Sequence, residues 1–418
     1  MPPWSDSDAA PRKERFYYGW VVVLALLVIG IICFGVHYSF GVFFKPLQEE
    51  LGWSRTATSG IYSAYVVLSA LFAVISGWAL DRYGAKVIFM AMGVFTAAGL
   101  LLTSQVSSPW QIFVTYSLLL AIGTGGIYVV SMATVNRWFV KRRGMALGIV
   151  GLGSPIGMMV MNPVAAYFIA SYNWKTSFLI MGLIAFFIII PGSQLLRKSP
   201  SEIASSSRHN KLEATDCDSF PEGLSLHQAL RTRNFWLLVL IMFLLSSCTY
   251  VITAHLVPHA IDLDIPPIQA ASLFSVIGGA AMAGRLLLGR ASDSIGRKRV
   301  YLICSLLMAV SMLWLIKASD LWMLYVFAII FGFGTGGLAP VNAAFLGDTF
   351  GMRHIGLIMG SIEIGWQTGA AAGAILAGYI FDISGSYTFA FIAGLTASLV
   401  VALLVLFLKE TKPLMLSH

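Results

Sequence analysis

The sequence predicts an all-α membrane protein whose twelve transmembrane helices form two bundles of six. Three observations lead there. The chain of 418 residues is 58% hydrophobic and only 11% charged, with a mean hydropathy of +0.81, so it cannot clothe a single core in a water-compatible surface. Its apolar residues gather into runs of about twenty, the length a helix needs to cross the hydrocarbon of a bilayer. A polar stretch then divides these runs into two sets of six that resemble each other.

In chain order, the polar start MPPWSDSDAAPRKERF precedes an apolar run over 18–44 that is too long for a cleavable signal segment, so it reads as a membrane anchor. Further runs follow over 57–80, 86–105, 110–134, 144–170 and 175–196. Residues 197–233 break the pattern with RKSPSEIASSSRHNKLEATDCDSFPEG, a stretch rich in Ser, Glu and Asp that reads as a cytoplasmic linker between an N-terminal bundle, 1–196, and a C-terminal bundle, 234–418. Within it, FPEGLSLHQALRT has the composition of a short amphipathic surface helix. The second set runs over 234–260, 269–290, 299–317, 320–346, 353–380 and 387–408.

Charge placement orients the chain. With the N-terminus inside, 22 of the 27 Lys and Arg residues fall on the cytoplasmic side, and only Lys45, Arg55, Lys175 and Lys317 fall outside, with Arg285 left in the membrane. The positive-inside rule therefore places both termini in the cytoplasm of a multi-pass protein of the inner, or plasma, membrane. The net charge of +8 reports this topology and anionic lipid headgroups, and no nucleic-acid partner is expected. Cys33, Cys248 and Cys304 lie in apolar runs and Cys217 in the linker, a distribution that suits neither a disulfide framework nor a metal site.

The halves repeat. GWALDRYGAKV at 77–87 matches GRASDSIGRKR at 289–299, GTGGIY at 123 aligns with GTGGLA at 334, and GMALG at 144 aligns with GLIMG at 356. Such duplication marks transporters built from two related bundles with the substrate site between them near the midplane. Many of the forty glycines, as in GLGSPIG at 151–157, suit close helix contacts.

Arg285 lies inside the apolar stretch GGAAMAGRLLLG, where an arginine costs about 3 kcal/mol or more unless a cavity, a partner or an anion compensates it. It is the first candidate functional residue. Its planar guanidinium offers two parallel donors and selects a single carboxylate. Glu363, about ten residues into its run, is a candidate proton carrier, and His255 in the seventh run is a second. Tyr38, Tyr128 and Gln367 carry polar tips that can bond a carboxylate or a 2-hydroxyl.

The loop Gly77, Asp81, Arg82, Gly84 and Lys86, with its weaker copy after the eighth run, resembles the signature loop of the major facilitator superfamily, which implies that superfamily's fold. YYGWVVV at 17–23, NRWFVKRRGMALGIVGLGSPIG at 136–157, and Arg285 with Gly289 four residues on are similar to motifs of the monocarboxylate transporter family and its bacterial relatives that carry oxalate, formate or pyruvate. The resemblance implies that Arg285 binds the carboxylate and that the first, fourth and eleventh segments, which hold Tyr38, Tyr128, Glu363 and Gln367, line the cavity. It also implies a conformational latch at Asp81, Arg82 and Lys86, repeated at Asp293 and Arg297 with Lys298. Two departures matter: Ala281 stands where animal members place an aspartate, and FGVHYSFGVFF lacks their first-segment lysine.

The expected activity is secondary transport of a small monocarboxylate of the lactate, pyruvate or acetate type with a proton, by a monomer and without a cofactor. An oxalate/formate-type antiporter is the alternative, disfavoured because Glu363 stands near where that branch carries a second cation. A non-transporting sensor would need an appended signalling domain. An enzyme would need a clustered catalytic or metal set, which the scattered histidines do not supply. No GxxxxGK[ST] loop is present to use ATP.

Overall fold

In the computed structural model, the residues described are 18–51, 55–139, 142–196, 223–384 and 386–409. The polar N-terminus, Cys217 and most of the expected linker lie outside them.

The described secondary structure is helical throughout. The first half contains crossings at Gly19–Leu51, Arg55–Tyr83 and Ala85–Thr103. A fourth is assembled from Pro109–Ile112, a π-helical stretch Phe113–Leu119, Leu120–Thr124 and Ile127–Trp138. A fifth is made of Arg143–Gly151 and Gly153–Ser171, and the sixth is Trp174–Gln194. The second half contains Arg233–Asp262, Pro267–Ile295, Arg297–Leu315, Leu321–Phe350, Ile355–Ser384 and Thr388–Phe407. Eleven of these are long and apolar enough to cross a membrane, and the remaining one, Ile355–Ser384, is a 30-residue helix packed against the second and seventh crossings.

Local chemistry sets several ends. Asn173 caps the sixth crossing by accepting the Thr176 amide at 2.7 Å. Gly84 and Gly296, equivalent in the repeat, enter the third and ninth crossings at φ 82° and 97°, a backbone region that a side chain disfavours. Of the expected surface helix, Leu226–Leu230 is helical and begins with a capping box between Ser225 and Gln228. The fifth crossing, expected as one run, is interrupted at Leu152.

Helix packing repeats as the sequence does. The first crossing lies on the fifth, the third on the sixth and the second on the fourth; six crossings later the seventh lies on the eleventh, the ninth on the twelfth and the eighth on the tenth. Large apolar side chains such as Val67, 69% exposed, and Phe187, 67% exposed, cover the outside, as lipid requires rather than water. Phe43 and Phe178 stack at 3.8 Å inside the first bundle.

The two bundles meet where the second crossing touches the eleventh and the fifth touches the eighth. Both contacts are glycine-on-glycine: a Cβ on Gly77 would stand 2.1 Å from the Gly356 carbonyl oxygen, and one on Gly144 would stand 2.1 Å from that of Gly289. These pairs are related by the repeat offset of 212 residues, so they are two copies of one joint. The C-terminal portion of the fifth crossing, Gly153–Ser171, turns instead onto the first crossing.

Candidate functional site

The repeat places the two charged candidates at corresponding depths. At the offset of 212, Arg285 is the counterpart of Ala73, and Glu363 the counterpart of Gly151. The backbone carbonyl of Arg285 faces Gly148, just as that of Ala73 faces Gly360. Each charged residue therefore belongs to one of the two equivalent joints, at the inner end of its glycine contact.

Arg285 Nη1 donates to the carbonyl of Gly151, the last residue before the break in the fifth crossing. This bond joins the bundles. Arg285 Nε is enclosed and has no partner, which leaves the Nε–Nη2 edge uncommitted among the described residues. An enclosed donor without an acceptor is costly, and a carboxylate laid along that edge supplies two acceptors in the geometry a guanidinium prefers. The hydroxyls of Tyr38 and Tyr128 lie near enough to interact with its charge.

Tyr128 Oη donates to the Ala339 carbonyl of the tenth crossing at 3.2 Å, and Glu363 and Arg285 both lie within electrostatic reach of it. Tyr38 is 36% exposed, at the edge of the space between the bundles. Glu363 forms no hydrogen bond or ion pair among the described residues, and its charge also reaches Tyr250 of the seventh crossing. Gln367 is one helical turn from Glu363 on the same face, without a described partner. Arg285, Tyr38, Tyr128 and Glu363 thus converge on one region. His255 does not join them: its ring lies 5.1 Å from Tyr387, in an aromatic patch where His259 lies 4.9 Å from Phe391.

At the other end of the joints sit two carboxylate clasps. Asp81 accepts the amides of Gly356 at 3.1 Å and Leu357 at 2.9 Å, at the start of the eleventh crossing, and pairs with Arg137. Asp293 accepts the amides of Gly144 at 2.9 Å and Met145 at 3.1 Å, at the start of the fifth, and pairs with Arg297 at 2.5 Å. Each carboxylate caps a helix of the opposite bundle, where free amides and the helix dipole favour an anion. Asp348 ties the second clasp further by pairing with both Arg143 and Arg297.

The other expected latch residues do something else. The Arg82 guanidinium stands over the rings of Trp78 and Tyr83, 5.9 and 5.7 Å from their centroids, and exposed Lys86 has no described ion pair. Lys298 donates to the carbonyls of Leu406 and Leu408, each at 2.8 Å, closing the end of the twelfth crossing.

Reading the sequence alone overlooked Arg137, Arg143 and Asp348, whose charges look like ordinary loop charges, and Tyr250. It also overlooked His37, whose only signal was a polar pair inside an apolar run.

A family model described as Major Facilitator Superfamily matches residues 26–293 and 261–416. Curated relatives include monocarboxylate transporter 13 of Rattus norvegicus, 25% identical over 90% of this chain and 85% of that protein. Monocarboxylate transporter 2 of Homo sapiens is 26% identical over 94% of this chain and 86% of its own length. Among solved structures, the proton:xylose symporter XylE bound to 6-bromo-6-deoxy-D-glucose superposes with a TM-score of 0.74 at 13% identity, covering 95% of this chain and 97% of that one. The Escherichia coli fucose:proton symporter FucP gives 0.70 at 15% identity, covering 93% and 98%. With residues 26–416 matched by the family model and the repeat seen as two equivalent joints, this chain belongs to the Major Facilitator Superfamily.

Proposed function

We propose that this protein carries a small monocarboxylate together with a proton, by alternating access of a cavity between the two bundles. The observation that supports this reading most directly is the uncommitted Nε–Nη2 edge of Arg285, a membrane-depth donor pair shaped for one carboxylate. The names of the curated relatives agree with it. One cation neutralises one carboxylate, so a monoacid fits better than a dianion, whose second charge would meet Glu363. The clasps are the parts that exchange as the bundles rock, and the face that carries them is the cytoplasmic face of the plasma membrane, with both termini there. The carrier works as a monomer in lipid, and 197–233 tethers bundles 1–196 and 234–418.

The test is uptake of labelled acids by proteoliposomes with and without an imposed pH gradient. Uptake of lactate, pyruvate or acetate should rise as the outside is acidified and collapse with a protonophore. Efficient oxalate exchange indifferent to the protonophore would replace this reading with the antiporter one.

Glu363 is the proposed proton carrier of the second bundle. Glu363→Gln, which keeps the shape and removes the charge, should abolish accumulation driven by a pH gradient while exchange of labelled for unlabelled substrate persists. Equal loss of accumulation, exchange and thermal stability would make Glu363 structural, and His255→Asn would then be examined in the same pair of assays.

A further inference from the structure

His37 lies in the first crossing, beside Tyr38, in the bundle opposite Glu363. Its Nδ1 is 2.7 Å from Tyr65 Oη, Tyr65 Oη is 2.6 Å from Thr124 Oγ1, and Thr124 Oγ1 donates to the Leu120 carbonyl at 2.8 Å. Proton counting gives this chain a direction. A carbonyl only accepts, so the single hydroxyl proton of Thr124 lies on the Leu120 side. Tyr65 must then supply the proton it shares with Thr124, which uses the one it has. The proton between His37 and Tyr65 therefore belongs to His37 Nδ1. The neutral imidazole is held as the Nδ1–H tautomer, with its acceptor lone pair on Nε2.

Nε2 of this half-buried ring has no described partner and is not among the enclosed polar atoms, so it is the ring nitrogen left to accept. A proton arriving there needs no rearrangement, because every other bond in the chain already points the right way.

The surroundings define what would stabilise the resulting charge. The titratable neighbours are Tyr38 at 4.7 Å and Cys33 on the same helix, Tyr62 at 6.4 Å and Tyr65 at 5.3 Å on the second crossing, and Tyr116 of the fourth, which packs on Tyr65. All are neutral groups in their ordinary forms, and no described carboxylate pairs with the imidazole. Tyr38, however, reaches Arg285. A substrate carboxylate bound at Arg285 would bring an anion to the Tyr38 side of this region, in addition to the Glu363 carboxyl that converges on it from the second bundle.

We propose that the transported proton passes through His37 Nε2 as well as Glu363, and that the bound carboxylate is the counter-charge that stabilises it on the imidazole. Proton and substrate then favour each other's binding, because the coupling between two sites is reciprocal. This deepens the monocarboxylate–proton reading and rests on it.

Three measurements test it. In proteoliposomes, His37→Gln should lose the acid stimulation of labelled lactate uptake, the ratio of uptake at an outside pH of about 6 to that at about 8 falling to near one. Exchange should remain measurable. Tyr65→Phe keeps the imidazole but removes the acceptor of its Nδ1 proton, so its uptake profile should keep its rise with the midpoint moved to lower pH. In protein labelled with ¹⁵N-histidine, the spectrum of the wild type minus that of His37→Gln at alkaline pH should show a protonated Nδ1 and a bare Nε2. A wild-type pH profile in His37→Gln, or an Nε2–H tautomer, would overturn the proposal. Should His37→Gln fail to reach the membrane, an unchanged profile in Tyr65→Phe would overturn it alone. If wild-type uptake of every monoacid ignores pH, the transport reading itself fails, and the tautomer spectrum still reports on His37 independently.

Discussion

Arg285→Ala should abolish carboxylate uptake while the protein still inserts and folds. Removing one partner of a desolvated, hydrogen-bonded charge pair costs about 2–5 kcal/mol, which is roughly thirtyfold to several thousandfold in affinity. The variant also loses the Nη1 bond to Gly151, but the glycine contacts of Gly144 and Gly148 with the eighth crossing remain to hold that joint. Arg285→Lys should rescue poorly, because an ammonium keeps the charge without the planar fork and cannot serve Gly151 and a two-oxygen ligand in the same geometry. Uptake of labelled lactate and acetate, normalised to protein in the membrane, is the measurement. Near-normal uptake by the alanine variant would take Arg285 out of the site.

The second large effect is expected at a residue that touches no substrate. Gly77→Val should force the second and eleventh crossings apart, because even its Cβ would stand 2.1 Å from the Gly356 carbonyl oxygen, and backbone is what it meets. Overpacking of this kind costs about 1–3 kcal/mol, and the Asp81 clasp on the Gly356 and Leu357 amides would be pulled open with it. Two such penalties together shift a two-state equilibrium by roughly thirtyfold or more. Transport should fall to background. A cysteine placed at Ser292, buried in the matching joint, should become reactive to maleimide in a Cys217→Ser background. Val67→Ala, on the lipid-facing side of the same helix, serves as the control and should leave that reactivity unchanged. Unaltered transport and labelling in Gly77→Val would mean that the joint tolerates a side chain, and the account of its glycines would be wrong.

Much of the architecture is legible along the chain, because lipid imposes length and polarity on each helix separately. The run at 269–290 and the helix Pro267–Ile295 are the same object read two ways, and Arg285 announces itself because no other charge precedes Arg290, the residue that closes the run. The clasps were half legible. Asp81 and Asp293 belong to a visible motif, but their main ligands are backbone amides, which every residue possesses and no pattern reveals. Arg82 is adjacent to Asp81 in sequence, yet Arg137 reaches it instead, from a different crossing. His255 reads as a group in the outer part of the run 234–260, but its ring contact with Tyr387 comes from the start of the twelfth crossing, which no spacing along the seventh discloses. The chain from His37 through Tyr65 to Thr124 spans three crossings, so no spacing along one helix could have disclosed it.

The correspondence of Arg285 with Ala73 and of Glu363 with Gly151 has a consequence for handedness. Two chemically identical halves would present the same groups on both sides of their pseudo-twofold axis, and an asymmetric guest could lie in the cavity either way round. Here the guanidinium stands at one joint and the carboxyl at the other, so the two sides of the site differ chemically. On the proposed function, a carboxylate with an apolar tail would lower its energy by turning its head toward the eighth crossing and its tail toward the eleventh. That orientation would then fix which substituent of the adjacent carbon meets Tyr38 and which meets Tyr128, so mirror-image 2-hydroxy acids would cease to be equivalent inside a fold that is itself nearly its own copy.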